Sequence, residues 1–155
     1  PTRLPIQRDG SPSSLPNKLK IYCEQKMTDE KKDMSILIVD DYKTMLRIIR
    51  NLLNEVGFRN IDEATDGVTA LESLSTRPYD LVISDWNMEP MTGLGLLKTV
   101  RADNSLKKLP FIMVTAEAKT ENVVAAKQAG VNNYIVKPFN AATLRSKLTA
   151  VIGEF

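Results

Sequence analysis

The chain has no histidine and one cysteine, Cys23, among 155 residues. Without histidine neither a Ser-His-Asp triad nor a Cys-His pair can be assembled, and the lone cysteine cannot complete a Cys/His zinc site. An internal disulfide is excluded as well. An unpaired thiol suits a reducing compartment, and the expected location is the cytoplasm. Long apolar runs are also missing. The longest aliphatic stretches, such as Ile36–Val39 and Phe111–Val114, fall far short of the roughly 20 residues a membrane span requires. No apolar signal segment opens the chain, so no membrane insertion is expected. A net charge of only +2 is too weak to mark a nucleic-acid surface, and no nucleic-acid partner is expected. Any chemistry must therefore rest on carboxylates, hydroxyls, lysine or a bound metal.

What is present is an ordinary globular composition, 43% hydrophobic and 26% charged, of a size suited to one domain. It is unevenly spread. Residues 1–26 hold Pro1, Pro5, Pro12 and Pro16, half of the eight prolines, and lack any sustained helix or strand period, the pattern of a disordered segment. Up to Lys32 there are seven basic and four acidic residues, against fourteen and fifteen beyond it, so the slight basicity belongs to this stretch. The expected division is a disordered N-terminal extension or cloning remnant over 1–32 and one folded domain over 33–155.

From Asp33 onward the period alternates. Ile36–Val39, Asn60–Ala64, Leu81–Ser84, Phe111–Val114 and Tyr134–Val136 have strand length. Between and after them lies helical spacing. Met45, Ile49, Leu52, Leu53 and Val56 form one apolar stripe, closed by Gly57 as a helix stop. Further helices are expected over 67–75, 93–101, 121–129 and 141–151. Five such βα units with near-continuous apolar strands imply an α/β fold, a doubly wound five-stranded parallel sheet covered on both faces by five helices. The strand order expected for this class is the flavodoxin-like 2-1-3-4-5.

Ligands of such sheets bind beyond the carboxyl ends of the strands. Asp40 and Asp41 follow the first strand, Asp85 the third, Thr115 the fourth and Lys137 the fifth. All five fall on one edge, where the three carboxylates would repel one another unless a cation intervened. A histidine-free carboxylate cluster suits a hard, oxygen-seeking ion such as Mg²⁺. Lys137 and Thr115 would supply a positive charge and a hydroxyl donor to an anion beside it, which implies a phosphoryl group with Asp85 as a candidate nucleophile. "GLG" at Gly93–Gly95 lacks the context of a dinucleotide loop and reads as a turn and helix entry.

The stretches "ILIVDD", "VISDWNM", "MVTAEA" and "YIVKPF" resemble the receiver domain of bacterial two-component response regulators, most closely its single-domain chemotaxis members. The resemblance runs from Met34 to the C-terminus. It implies that Asp85 is the phosphoacceptor and that Asp40 and Asp41 are the acidic pair. Asp41 and Asp85 would then bind Mg²⁺ directly, with the backbone carbonyl of Asn87 as a third ligand. Lys137 would pair with the phosphoryl oxygens ahead of a cis peptide to Pro138. Thr115 and Tyr134 would form the switch pair, Asn87 and Glu117 would tune hydrolysis, and Ala118, Lys119, Tyr134, Val136 and Lys147 would belong to the target face.

The chain departs from the family pattern in placing Glu89 before Pro90 after "DWNM", which adds a carboxylate near the site. Lacking histidine, it would need a histidine kinase, CheA-like by resemblance, as donor. A FliM-like flagellar motor switch protein would be the target, and a phosphatase is a further candidate partner. With no DNA-binding effector expected after the last helix, output would pass through protein contact from a monomer. Such a protein is a phosphoacceptor, not an enzyme beyond its own phosphorylation and dephosphorylation. The alternatives are a phosphorelay intermediate serving a histidine phosphotransfer protein, and an aspartyl-phosphate hydrolase of the haloacid dehalogenase type. The latter is disfavoured because Asp40 is followed by Asp41 and Tyr42, not by the x-Asp its motif requires.

Overall fold

The computed structural model describes residues 16–116 and 120–155. The order is α1 (Asn17–Lys32), β1 (Ser35–Val39), α2 (Lys43–Glu55), β2 (Asn60–Ala64), α3 (Gly67–Thr76), β3 (Leu81–Asp85), α4 (Gly93–Ala102), β4 (Phe111–Thr115), α5 (Thr120–Ala129), β5 (Asn133–Val136) and α6 (Ala141–Ile152). All strand pairs are parallel, in the order β2-β1-β3-β4-β5.

The side-chain alternation of the strands divides the interior in two. Ile36, Ile38, Ile83, Ile112, Val114 and Ile135 face α2 and α6. Leu37, Val39, Val82, Phe111 and Met113 face the opposite way, packed with Ala70 and Leu74 of α3 and Leu96, Leu97 and Val100 of α4. A helix cover on each face explains why β3 and β4 are buried at every position and read as continuous apolar runs. Local signals set the helix ends. Asp66, Thr92 and Asn140 cap α3, α4 and α6 by accepting from the backbone N–H of Thr69, Gly95 and Thr143. Gly57 follows α2 at φ +111°, in the left-handed region where glycine is unstrained.

One helix runs against the sequence reading. Residues 17–32 were expected to lack regular structure, yet they form α1, the sixth helix. Its sequence, NKLKIYCEQKMTDEKK, carries no apolar stripe, so periodicity gives no sign of it. The helix draws instead on the propensity of its Lys, Glu, Gln and Met residues and on Lys31 and Lys32 in its last turn, where cations favour the helix dipole. Its far end is tied to the domain, since Lys31 Nζ donates to the Glu154 carbonyl at 2.8 Å. Residues 1–15 of the expected extension lie outside the described residues. Among the described residues no helix is long and apolar enough to cross a membrane.

Candidate functional site

The parallel register carries the polar residues to one level. Val39 pairs with Ser84, Asp85 with Val114, and Thr115 with Val136, so Asp40 stands beside Asp85 and Lys137 beside Thr115. Backbone bonds continue the ladders past the strand ends, from Asp40 N to the Ala64 carbonyl, Trp86 N to Val114 and Lys137 N to Thr115. Asp85 and Thr115 close their strands instead of following them, which fixes their carbonyls and N–H groups in the sheet.

Asp40, Asp41 and Asp85 each present a carboxylate oxygen within 4.8 Å of the others. Asp40 and Asp85 are buried, at 1% and 6% exposure, while Asp41 faces solvent. Lys137 Nζ donates to Asp85 Oδ1 at 2.8 Å and stands 3.5 Å from Asp40 Oδ2. Asp40 Oδ1 accepts from the Tyr42 backbone N–H at 3.0 Å, whereas the buried Oδ2 accepts no hydrogen bond among the described residues. Lys137 is thus shared between Asp85 and Asp40, and three clustered carboxylates have one ammonium within ion-pair distance among the described residues. An all-oxygen donor set of this kind fits a hard divalent cation.

The charge imbalance shows in the ionisation of the group. Burial pushes the Asp40 carboxyl above its ordinary range; the Tyr42 N–H partly offsets this, and the Asp85 charge adds to it. For Lys137, burial alone would lower the ammonium, but the hydrogen bond and charge of Asp85 and the charge of Asp40 outweigh it and raise the pKa above the usual lysine value. A carboxyl raised in the folded state contributes its stability below its unfolded pKa and loses it as pH rises through the folded value. Asp40→Asn is therefore expected to raise the melting temperature at pH 7 in EDTA by several degrees, with the gain fading toward pH ~4, near the unfolded carboxyl value. A lower melting temperature at pH 7 would count against the repulsion.

The other predicted residues divide by location. Asn87 and Glu89 line an open cleft with Asp41, Met88 and Thr92. Thr115 and Tyr134 lie farther along, on a small apolar cavity completed by Trp86, Met113, Asn122, Val123 and Ala126. Thr115 is buried, and the Tyr134 ring is half-buried with Lys147 Nζ 5.0 Å from its centroid. Val136 is exposed on the same edge. Glu117, Ala118 and Lys119 lie outside the described residues. Lys137–Pro138 is cis, as the resemblance implied, and so is Glu89–Pro90.

Sequence reasoning passed over Thr92 and the α5 residues that wall the cavity. A Thr immediately before the helix at Gly93 was a legible cap signal. Asn122, Val123 and Ala126 carry no motif, and only the packing of α5 on β4 brings them to Thr115.

Residues 36–149 match the family described as response regulator receiver domain. The chain is 58% identical over 120 residues to chemotaxis protein CheY-3 of Vibrio cholerae serotype O1, covering 77% of this chain and 92% of that protein. It is 55% identical over 118 residues to chemotaxis protein CheY of Pseudomonas aeruginosa, covering 76% and 95%. Among solved structures, Vibrio cholerae CheY4 superposes with a TM-score of 0.73 at 33% identity, over 77% of this chain and 99% of the other. The receiver domain of the Pseudomonas aeruginosa sensor histidine kinase PA1611, whose structure has a magnesium ion coordinated in the active-site cleft, superposes with a TM-score of 0.71 at 30% identity, over 79% and 99%.

Proposed function

Because the chain belongs to the response regulator receiver domain family, with the CheY chemotaxis proteins among its relatives, we propose that it is a phosphorylation switch that takes a phosphoryl group on Asp85 from a CheA-like histidine kinase and then engages a FliM-like flagellar motor switch protein. The supporting observation is the bracket around Asp85: a buried strand-end carboxylate held by Lys137 at 2.8 Å beside Asp40 and Asp41.

Transfer would proceed in one displacement. An Asp85 carboxylate oxygen attacks phosphorus; the bond from phosphorus to the donor imidazole nitrogen breaks, and that nitrogen keeps the electron pair and takes a proton from solvent. The product is an acyl phosphate on Asp85 and a neutral donor histidine. Lys137 donates to Asp85 and would pair with a phosphoryl oxygen after transfer, and the Thr115 hydroxyl lies at the next strand end. Mg²⁺ held by Asp40, Asp41, Asp85 and the Asn87 carbonyl would neutralise the oxygen charge that develops during transfer. Asn87 and Glu117 would set the access of the hydrolytic water.

The output step rests on the cavity between Thr115 and Tyr134. A phosphoryl group adds about −1.5 to −2 charge and would draw the Thr115 hydroxyl toward Asp85. Space beside Thr115 would open to the Tyr134 ring, altering the surface of β5 and α6 that carries Tyr134, Val136 and Lys147; Ala118 and Lys119 belong to the target face by the resemblance alone. A tenfold preference of the target for the switched surface needs about 1.4 kcal/mol of differential binding.

Val136→Asp and Lys147→Glu are expected to weaken capture of the motor component by tenfold or more while the amount of phosphoryl taken up stays near wild type. Paired pull-downs with phosphorylated and unphosphorylated protein test this. Equal capture in the two states would end the motor-switch reading and leave a carrier that hands its phosphoryl group to a histidine phosphotransfer protein.

A further inference from the structure

Glu89 is the one acidic side chain on the open cleft besides Asp41 among the described residues. Both are exposed, and Asp41 belongs at once to this cleft and to the cluster of carboxylates it forms with the buried Asp40 and Asp85. We propose that Glu89 is an outer carboxylate of the cation site, raising divalent-cation affinity by accepting hydrogen bonds from the ion's water ligands without entering its inner coordination sphere. The proposal rests on the reading of Asp40, Asp41 and Asp85 as the cation site, with Asp41 and Asp85 as its direct ligands.

The geometry favours an outer over an inner role. The three aspartates offer oxygens within 4.8 Å of one another, and Glu89 is not among the groups that converge there. It instead lines the solvent side with Asn87 and Thr92. Mg²⁺ dehydrates reluctantly and keeps several waters when only one or two carboxylates bind it, so waters would project into that cleft. A carboxylate on its wall can order them and adds a negative charge to a site where Lys137 is the nearby cation. Asp40 Oδ2 is buried, accepts no hydrogen bond among the described residues and has the Lys137 ammonium no nearer than 3.5 Å, which leaves its charge incompletely met within the cluster. Carboxylates hydrogen-bonded outside the first shell of a metal commonly hold its ligands in place.

An exposed outer charge and an inner ligand differ in their response to salt. Interactions between exposed charges are screened as the Debye length shrinks from about 30 Å at 0.01 M ionic strength to about 10 Å at 0.1 M, whereas buried pairs are screened much less. Removing Glu89's charge should therefore weaken binding most at low salt, and the deficit should close as monovalent salt is added. Removing an inner ligand should leave a deficit at every salt concentration.

The test is a Mg²⁺ titration of the full chain followed by the fluorescence of Trp86, the only tryptophan and the residue next to Asp85. Wild type, Glu89→Gln and Asp41→Asn are compared at low and high KCl, with melting temperatures in EDTA to verify folding. Glu89→Gln should raise the dissociation constant about three- to tenfold at low salt, as expected for a unit charge acting on a divalent ion across solvent, and the ratio should fall toward one at high salt. Asp41→Asn, which removes a direct oxygen ligand as well as an exposed charge, should show a larger loss that high salt reduces but does not abolish. Equal affinity of Glu89→Gln and wild type at low salt overturns the role of Glu89 and leaves the inner site intact. A loss in Glu89→Gln that persists at high salt also overturns it, since that is the behaviour of a direct ligand. Failure of wild type itself to bind Mg²⁺ refutes the cation site, which is a separate outcome.

Discussion

Asp85→Asn is expected to take up no phosphoryl group when incubated with Mg²⁺ and a small acyl phosphate, under conditions in which wild type takes up one labile group. An amide is a far weaker nucleophile than a carboxylate and cannot form an acyl phosphate. Of the three carboxylates, Asp41 is exposed and Asp40 is engaged by the Tyr42 N–H. Asp85 alone combines a strand-end position with a short Lys137 contact. The loss should be complete and should not trace to unfolding, because the substitution removes one of three mutually repelling charges. Melting curves recorded beside the labelling experiment verify that. Residual labelling at the wild-type level would place the acceptor elsewhere.

Gly93→Ala is expected to cost about 2–4 kcal/mol of stability, near the upper end of overpacking effects. Gly93 is buried at the first position of α4. A β-carbon there would overlap the backbone carbonyl oxygen of Asp85 and come within 2.7 Å of Met113 Sδ. The sulfur could swing away, but the carbonyl belongs to the last residue of β3. The Gly93 N–H also donates to the Trp86 carbonyl at 2.9 Å, drawing the helix start onto the strand end. Relief of the overlap must therefore move α4 or Asp85, and the rate of phosphoryl uptake should fall along with stability. Urea denaturation measures the first effect. A change within 0.5 kcal/mol, the range of an ordinary surface substitution, would mean that the loop yields without strain.

The βα alternation was legible because strands covered on both faces are continuously apolar, and because α2 carries an apolar stripe wide enough to show its period. The convergence of Asp40, Asp85, Thr115 and Lys137 was legible for a different reason. Parallel topology places every strand's carboxyl end on one edge, so position at a strand end was enough. α1 was hidden because a polar helix leaves no periodic trace, and its tie to the domain at Glu154 spans 123 residues of sequence. The cavity at Thr115 was hidden as well, because its walls are ordinary residues of α5 and β4 that only packing brings together. The exposure of Asp41 against the burial of Asp40 could not be told from adjacent letters. It follows from the turn after β1, where the Tyr42 N–H holds Asp40 inward.

The central claim is that the acidic edge exists to make an acyl phosphate on Asp85, and chemical trapping tests it most directly. Wild-type protein is phosphorylated with Mg²⁺ and a small acyl phosphate and reduced with borohydride, which converts an aspartyl phosphate to homoserine. It is then digested and mapped by mass spectrometry. Homoserine at position 85, absent when Mg²⁺ is omitted, is the predicted result. Homoserine at position 40 or 41, or phosphate that resists reduction and stays on a hydroxyl residue, would contradict it.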